Sequence, residues 1–232
     1  MNKSNRVILA LDSDNFKKIN SILDKIKNHL YAVKIGYEFF LNFGLDGYKK
    51  IKKKRIKIFL DLKLHDIPNT VKNGIEAISK LRAEFTTIHI SGGDEMQKLA
   101  ISKKGNTKIL GVSILTSLDV DQIKKYYSKN NIQKLVKNFV KNAHKNNLDG
   151  VICSPKEIQI IRKLVNDKFI IITPGIRPIN YKKKDDQQRT LTPKKAIELG
   201  ANFIVIGRPI LLSKDPLKEI RKINLEIEQS KN

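Results

Sequence analysis

One pattern recurs eight times along this chain. A run of four to seven mostly apolar residues, rich in Val and Ile, meets a polar or glycine break and is followed by a helical pattern. The runs fall at 7–11, 31–35, 56–60, 85–90, 109–115, 150–153, 169–172 and 203–206. They do not alternate cleanly between apolar and polar residues, which marks strands covered on both faces. The segments between them repeat apolar residues at helical spacing. Phe16, Ile19, Ile22, Leu23 and Ile26 form one such face, with Asp14 expected as its N-cap. Eight strand–helix units predict a (β/α)8 TIM barrel. A doubly wound open sheet, the competing architecture, usually shows a glycine fingerprint after its first strand, and LALDSDNF has none. No linker, repeat or low-complexity tract divides the 232 residues, so 1–232 are expected to form a single barrel domain.

The formal net charge of +23 raises the question of a polyanionic partner. The lysines are spread along the chain, dense only at 49–57 and 182–184, and the sequence has no Trp and only 6% aromatic residues. No helix-turn-helix or zinc-finger spacing appears. Solvated helix faces in a lysine-biased composition account for most of the charge, and no nucleic acid is expected as partner. An anionic small molecule suits this field. No apolar stretch is long enough to cross a membrane, and the N-terminus has too few apolar residues before Asp12 for a signal peptide. The one cysteine, Cys153, can form no internal disulfide, which points to a reducing, cytoplasmic setting.

In a barrel of this kind the working face lies at the carboxyl ends of the strands. The polar residues there are Asp12, Lys34, Asp61 with Lys63, His89 to Gly93, Thr116, Ser154, Arg177 and Arg208. Each alone could be a structural satisfier; together they read as one pocket. TPGIRP at 173–178 and IGRP at 206–209 place glycine and arginine at the last two strand ends. Glycine lets backbone N–H groups approach an anion, and arginine matches phosphate geometry. A phosphomonoester site is favoured there over tight turns bearing surface arginines.

Asp61, Lys63 and Asp66 put three charges in six residues behind a core strand. Taken by itself the spacing fits a solvated strand end as well as a site. On a strand, 61 and 63 face the same way, and Lys34 on the adjacent strand can stand beside Asp61. An alternating row of cations and anions holds every member charged. A fixed ammonium suits stabilising and protonating a carbanion, whereas Schiff-base chemistry needs a neutral lysine. Metal binding has weak support: Asp61, His65, Asp66 and His89 are available without diagnostic spacing. His29 and His144 are expected to be surface or packing residues.

The segment DLKLHDIPNT at 61–70 resembles the DxKxxDIPxT signature of the orotidine 5′-phosphate decarboxylase family. The resemblance extends through LALD at 9–12, KIG at 34–36, HISGG at 89–93, LTS at 115–117, TPGIRP at 173–178, DQQR at 186–189 and VIGRP at 205–209. It implies a phosphate-binding type of barrel that converts orotidine 5′-phosphate to uridine 5′-phosphate, the last step of de novo pyrimidine nucleotide synthesis, with no metal and no cofactor. By position, Lys63 would protonate C6 of the pyrimidine, Asp61 would stand near the substrate carboxylate, and Lys34 would complete the charge network. Asp66, with Ile67 and Thr70, would enter from a partner subunit, which implies a homodimer with composite sites. Asp12 and Lys34 would contact the ribose side and Thr116 the pyrimidine. Arg177 or its neighbouring backbone, Gln187, Gly207 and Arg208 would hold the phosphate. Gln187 is preferred to the adjacent Gln188 on the alignment at DQ, and the loop 180–189 is the expected lid. The rival readings are the magnesium-dependent 3-keto-gulonate-phosphate decarboxylases and hexulose-phosphate synthases, which share D-x-K-x-x-D on strand three, and a basic nucleic-acid-binding protein.

Overall fold

The computed structural model describes residues 5–128, 131–179, 181 and 190–229. Eight parallel strands close into a barrel in chain order: β1 (Val7–Ala10), β2 (Ala32–Ile35), β3 (Lys57–Leu64), β4 (Phe85–His89), β5 (Lys108–Val112), β6 (Gly150–Ile152), β7 (Ile170–Thr173) and β8 (Phe203–Ile206). Around them run α1 (Phe16–Ile26), α2 (Tyr37–Lys53), α3 (Pro68–Lys80), α4 (Asp94–Ser102), α5 (Val120–Tyr127), α6 (Ile132–Lys145), α7 (Ile158–Arg162), α8 (Pro193–Glu198), α9 (Arg208–Leu211) and α10 (Pro216–Glu228). The eightfold pattern in the sequence is thus the barrel. Among the described residues no helix is long and apolar enough to cross a membrane.

The lack of clean alternation has a simple cause. Val7 and Leu9 of β1 pack outward against the helices, while Ile8 and Ala10 point into the barrel, so both faces of the strand are apolar. Inside, Ile8, Ala32, Phe59, Phe85, Leu110 and Ile172 fill the lumen. Phe85 is its hub, with ring centroids 6.0 Å from Tyr31, 5.9 Å from Phe59 and 5.8 Å from Phe203.

Two details differ from the sequence-based expectation. The cap of α1 is Asn15, whose side chain accepts from the Lys18 N–H, and not Asp14; an Asn one residue on satisfies the same orphan donor. β3 does not stop at Leu60 but runs to Leu64, carrying Asp61 and Lys63 within the strand. Its pairing with β4 is irregular: Leu60 faces Thr86 and Leu64 faces Ile88, so four steps on β3 match two on β4. The extra residues bulge, and Lys63 takes a left-handed backbone with φ 46°. For a residue with a Cβ this conformation is costly, and such strain collects at functional sites.

Because the lumen is packed around it, Phe85→Ala should cost roughly 3–5 kcal/mol through lost burial and the cavity left behind. A thermal melt should fall by roughly 6–20 °C for a chain of this size; a shift under 2 °C would show that the lumen collapses around the gap.

Candidate active site

Residues that alternate inward along the strands carry the apolar lumen up to a charged mouth. Ala32 leads to Lys34 on β2, and Phe59 leads to Asp61 on β3, each two residues further along. The two side chains meet there. Lys63 Nζ lies 2.7 Å and Lys34 Nζ 3.7 Å from Asp61 Oδ2, and Lys34 Nζ lies 3.2 Å from Asp12 Oδ1. The row reads Lys63, Asp61, Lys34, Asp12, alternating in sign.

Asp61 is 6% exposed. Burial pushes its carboxyl up, but Lys34 and Lys63, with hydrogen bonds from Lys63 and Thr87, outweigh it and hold the pKa below 3.8. Burial likewise pulls Lys34 down, and Asp61 and Asp12 more than reverse this, so its pKa is raised. Both groups are therefore charged at neutral pH. Gly36 leaves room for the Lys34 ammonium: a Cβ there would stand 2.9 Å from Lys34 Nζ and 3.5 Å from Asp12 Oδ1.

These residues line a cavity of about 540 Å³ at the carboxyl ends of the strands. Asp12, Lys34, Asp61, Lys63, Thr116, Arg177, Gly207 and Arg208 all face it, as the sequence led one to expect. Gly175 turns the chain at the end of strand seven with φ 75°, a conformation that favours glycine. The volume suits a small ligand such as a nucleotide.

Not every expected residue joins them. Asp66, Ile67 and Thr70, expected to enter a partner subunit's site, are exposed and do not line the cavity of their own chain; Asp66 Oδ1 accepts from the Ile67 N–H at 2.6 Å. Gln187, and all of the expected lid except Tyr181, lie outside the described residues. His89 and Ser154 stand apart from the cavity: His89 stacks on His65 with ring centroids 5.0 Å apart, and the Ser154 N–H binds Glu157 Oε2 at 3.1 Å. Burial, then His65 and Lys63, push His89 below its ordinary 6.5. Among the described residues no three His, Cys, Asp or Glu side chains are grouped to hold a metal ion. Asp61 faces two ammonium groups and a hydroxyl.

Two residues of the site escaped the sequence. Glu38, in the first turn of α2, lines the cavity. Thr87 on β4 donates its hydroxyl to Asp61 Oδ1 at 2.9 Å. The signal for Thr87 was its position two residues after the inward-facing Phe85.

The closed barrel with a charged pocket at its strand ends defines a (β/α)8 enzyme, in which the site is built from loops and strand ends. The model of the Orotidine 5′-phosphate decarboxylase / HUMPS family matches residues 5–223, and the chain belongs to that family. The orotidine 5′-phosphate decarboxylase of Lactobacillus acidophilus is 43% identical over 230 residues, covering 95% of this chain and 97% of its own. That of Aquifex aeolicus is 40% identical over 225 residues, covering 94% and 96%. A crystal structure of orotidine 5′-phosphate decarboxylase from Lactobacillus acidophilus superposes with a TM-score of 0.84 at 40% identity, covering 96% of this chain and 99% of that one.

The lowered pKa of Asp61 links the site to stability. A carboxyl with a folded pKa below its unfolded value contributes stability above the unfolded value, and that contribution is lost as pH falls through the folded one. The gap in urea midpoint between wild type and Asp61→Asn should therefore be widest at pH 7 and narrow below pH 3.8. A gap unchanged between neutral and strongly acid pH would contradict an ionised Asp61.

Proposed function

We propose that this chain converts orotidine 5′-phosphate to uridine 5′-phosphate and carbon dioxide without a metal or organic cofactor. The observation that carries this reading is the row Lys63–Asp61–Lys34–Asp12 in a cavity that is also lined by Gly175, Arg177, Gly207 and Arg208 from the last two strand ends. The second set offers backbone and guanidinium donors for a phosphate, and Gln187 is assigned to the same group on sequence grounds. Thr116 is assigned to the pyrimidine.

With the phosphate so held, the ring is directed at Lys63 and Asp61. The C6–carboxylate bond breaks, carbon dioxide leaves, and the electron pair remains on C6. The Lys63 ammonium stands where that charge develops and gives its proton to C6, leaving a neutral amine that is reprotonated from water. Asp61 keeps Lys63 in place and sets a negative charge beside the departing carboxylate. Lys34 neutralises the far side of Asp61 and, with Asp12, faces the ribose. Binding energy from the remote phosphate orients the ring without touching the reacting atoms.

The reading includes a homodimer in which Asp66, Ile67 and Thr70 complete the partner's cavity. Its support is that all three are exposed and do not line their own cavity. Large apolar side chains are also exposed alongside: Ile67 at 68%, and Tyr37 at 54% and Leu41 at 81% one turn apart on α2. The Tyr37 hydroxyl donates to the Leu62 carbonyl at 2.7 Å, which pins this edge to the segment bearing Lys63. Exposed apolar side chains of this size suit an association surface.

Purified protein with excess chelator should consume orotidine 5′-phosphate, followed by ultraviolet absorbance, and Lys63→Ala should lower turnover by roughly a thousandfold or more. No conversion by folded wild type, or activity only when magnesium is added, would overturn the assignment in favour of the metal-dependent sugar-phosphate relatives. The composite site has its own check. Lys63→Ala and Asp66→Ala, each inactive alone, should on mixing and subunit exchange recover about a quarter of wild-type activity, because half the dimers then carry one intact site of two. No recovery between subunits shown to exchange would refute it.

A further inference from the structure

Adjacent threonines on β4 are both fully buried, yet their hydroxyls serve different ends. Thr86 Oγ1 donates to the Leu60 carbonyl at 2.9 Å, an ordinary link between neighbouring strands. Thr87 stands opposite the irregular stretch of β3, where the ladder between Leu60 and Leu64 is broken. Its Oγ1 accepts the backbone N–H of Lys63 at 2.9 Å and donates to Asp61 Oδ1 at 2.9 Å. The polarity of the hydroxyl is fixed, because an N–H can only donate and a carboxylate can only accept. Lys63 Nζ then returns to the other oxygen of the same carboxylate at 2.7 Å. The three residues close a ring: Thr87 to Asp61, Asp61 to the Lys63 ammonium, and the Lys63 backbone to Thr87.

We infer that Thr87 is a positioning residue for decarboxylation, fixing through one hydroxyl both the carboxylate of Asp61 and the left-handed backbone from which the Lys63 ammonium reaches it. The inference rests on Lys63 and Asp61 occupying the reacting end of the cavity. Its physical basis is that a bulge leaves backbone groups without ladder partners, and a buried N–H must find another. At Lys63 the backbone is also strained, with φ 46°, so an unanchored segment has reason to relax. Relaxation moves the ammonium away from the point where negative charge develops. Thr87 does not line the cavity, and its strand β4 adjoins β3 and β5 rather than β7 and β8, whose ends lead to Gly175, Arg177, Gly207 and Arg208, so substrate affinity held by the phosphate is untouched.

The test compares Thr87→Val, which keeps shape and removes the hydroxyl, with Thr87→Ser, which keeps the hydroxyl. Thr86→Val is the matched control, since it deletes an equally buried hydroxyl bonded only to a backbone carbonyl. Thr87→Val should lower kcat roughly 10- to 100-fold with KM within about twofold of wild type, the size expected when a charge-assisted bond behind a reacting group is lost. Thr87→Ser should restore kcat, and Thr86→Val should lower the melting temperature without lowering kcat. Wild-type kcat in Thr87→Val, a loss confined to KM, or Thr87→Ser as impaired as Thr87→Val would overturn the inference. So would an equal kcat loss in Thr86→Val. If Thr87→Val does not fold, Thr87→Cys replaces it, and its weak S–H donor should place kcat below that of Thr87→Ser; equal values would refute the role. Wild type and Lys63→Ala assayed together keep the two readings apart. An inactive wild type or an active Lys63→Ala defeats the site assignment, whereas failure confined to the Thr87 series defeats this inference alone.

Discussion

Asp61 is a carboxylate with 6% of its surface exposed, and removing such an ion from water costs on the order of several kcal/mol unless its partners are close and well placed. Here the partners are two ammonium groups and a hydroxyl, each delivered by a different part of the barrel. Lys34 comes from β2, Thr87 from β4, and Lys63 from two residues further along β3 itself. Stripping out any one leaves a buried charge or donor without its counterpart. The demand reaches outward as well: the bulge of β3, the left-handed backbone of Lys63 and the absence of a Cβ at Gly36 all serve the placement of charges around this one group.

The same barrel supplies the opposite environment a few ångströms below. Phe59 and Phe85 lie one inward step beneath Asp61 and Thr87, packed with Tyr31 and Phe203. An aromatic floor excludes water from the lower lumen and confines the polar groups to the mouth. Electrostatic interactions there act in a medium of lower effective dielectric than water, which strengthens each pairing and raises the penalty for each omission. Stability and chemistry are thus divided by depth along the strands, with the alternation of side chains providing the boundary.

Much of this was legible in the residues. Eight Val- and Ile-rich runs with helical patterns between them specify the barrel because few other architectures bury both faces of so many short strands. Asp61, Lys63 and Lys34 could be paired from strand periodicity, and Gly175, Arg177, Gly207 and Arg208 from their place at the last two strand ends. The pairing of 61 with 63 came out as expected, though for a different reason: β3 is not a regular strand at that point, and Lys63 returns to Asp61 from a bulge. The exact cap of α1 was missed by one residue because Asp14 and Asn15 are chemically near-equivalent caps. Glu38 gave no local sign, being an ordinary first-turn acid on a helix, and Thr87, one of two threonines in a strand, was marked only by its place two residues after the inward-facing Phe85.

By itself, then, the amino-acid sequence determined the number and order of the strand–helix units, the end of the barrel where charged side chains collect, and the charged residues that do not belong in a core. Those are consequences of periodicity and of the cost of burying charge, and both are local properties of a chain. Which neighbour answers which charge was decided only by the closed barrel. Asp61 and Thr87 are 26 residues apart, and Lys34 and Asp12 are 22 apart. Strand register brings such pairs to within a hydrogen bond, and register is set by packing across the whole lumen.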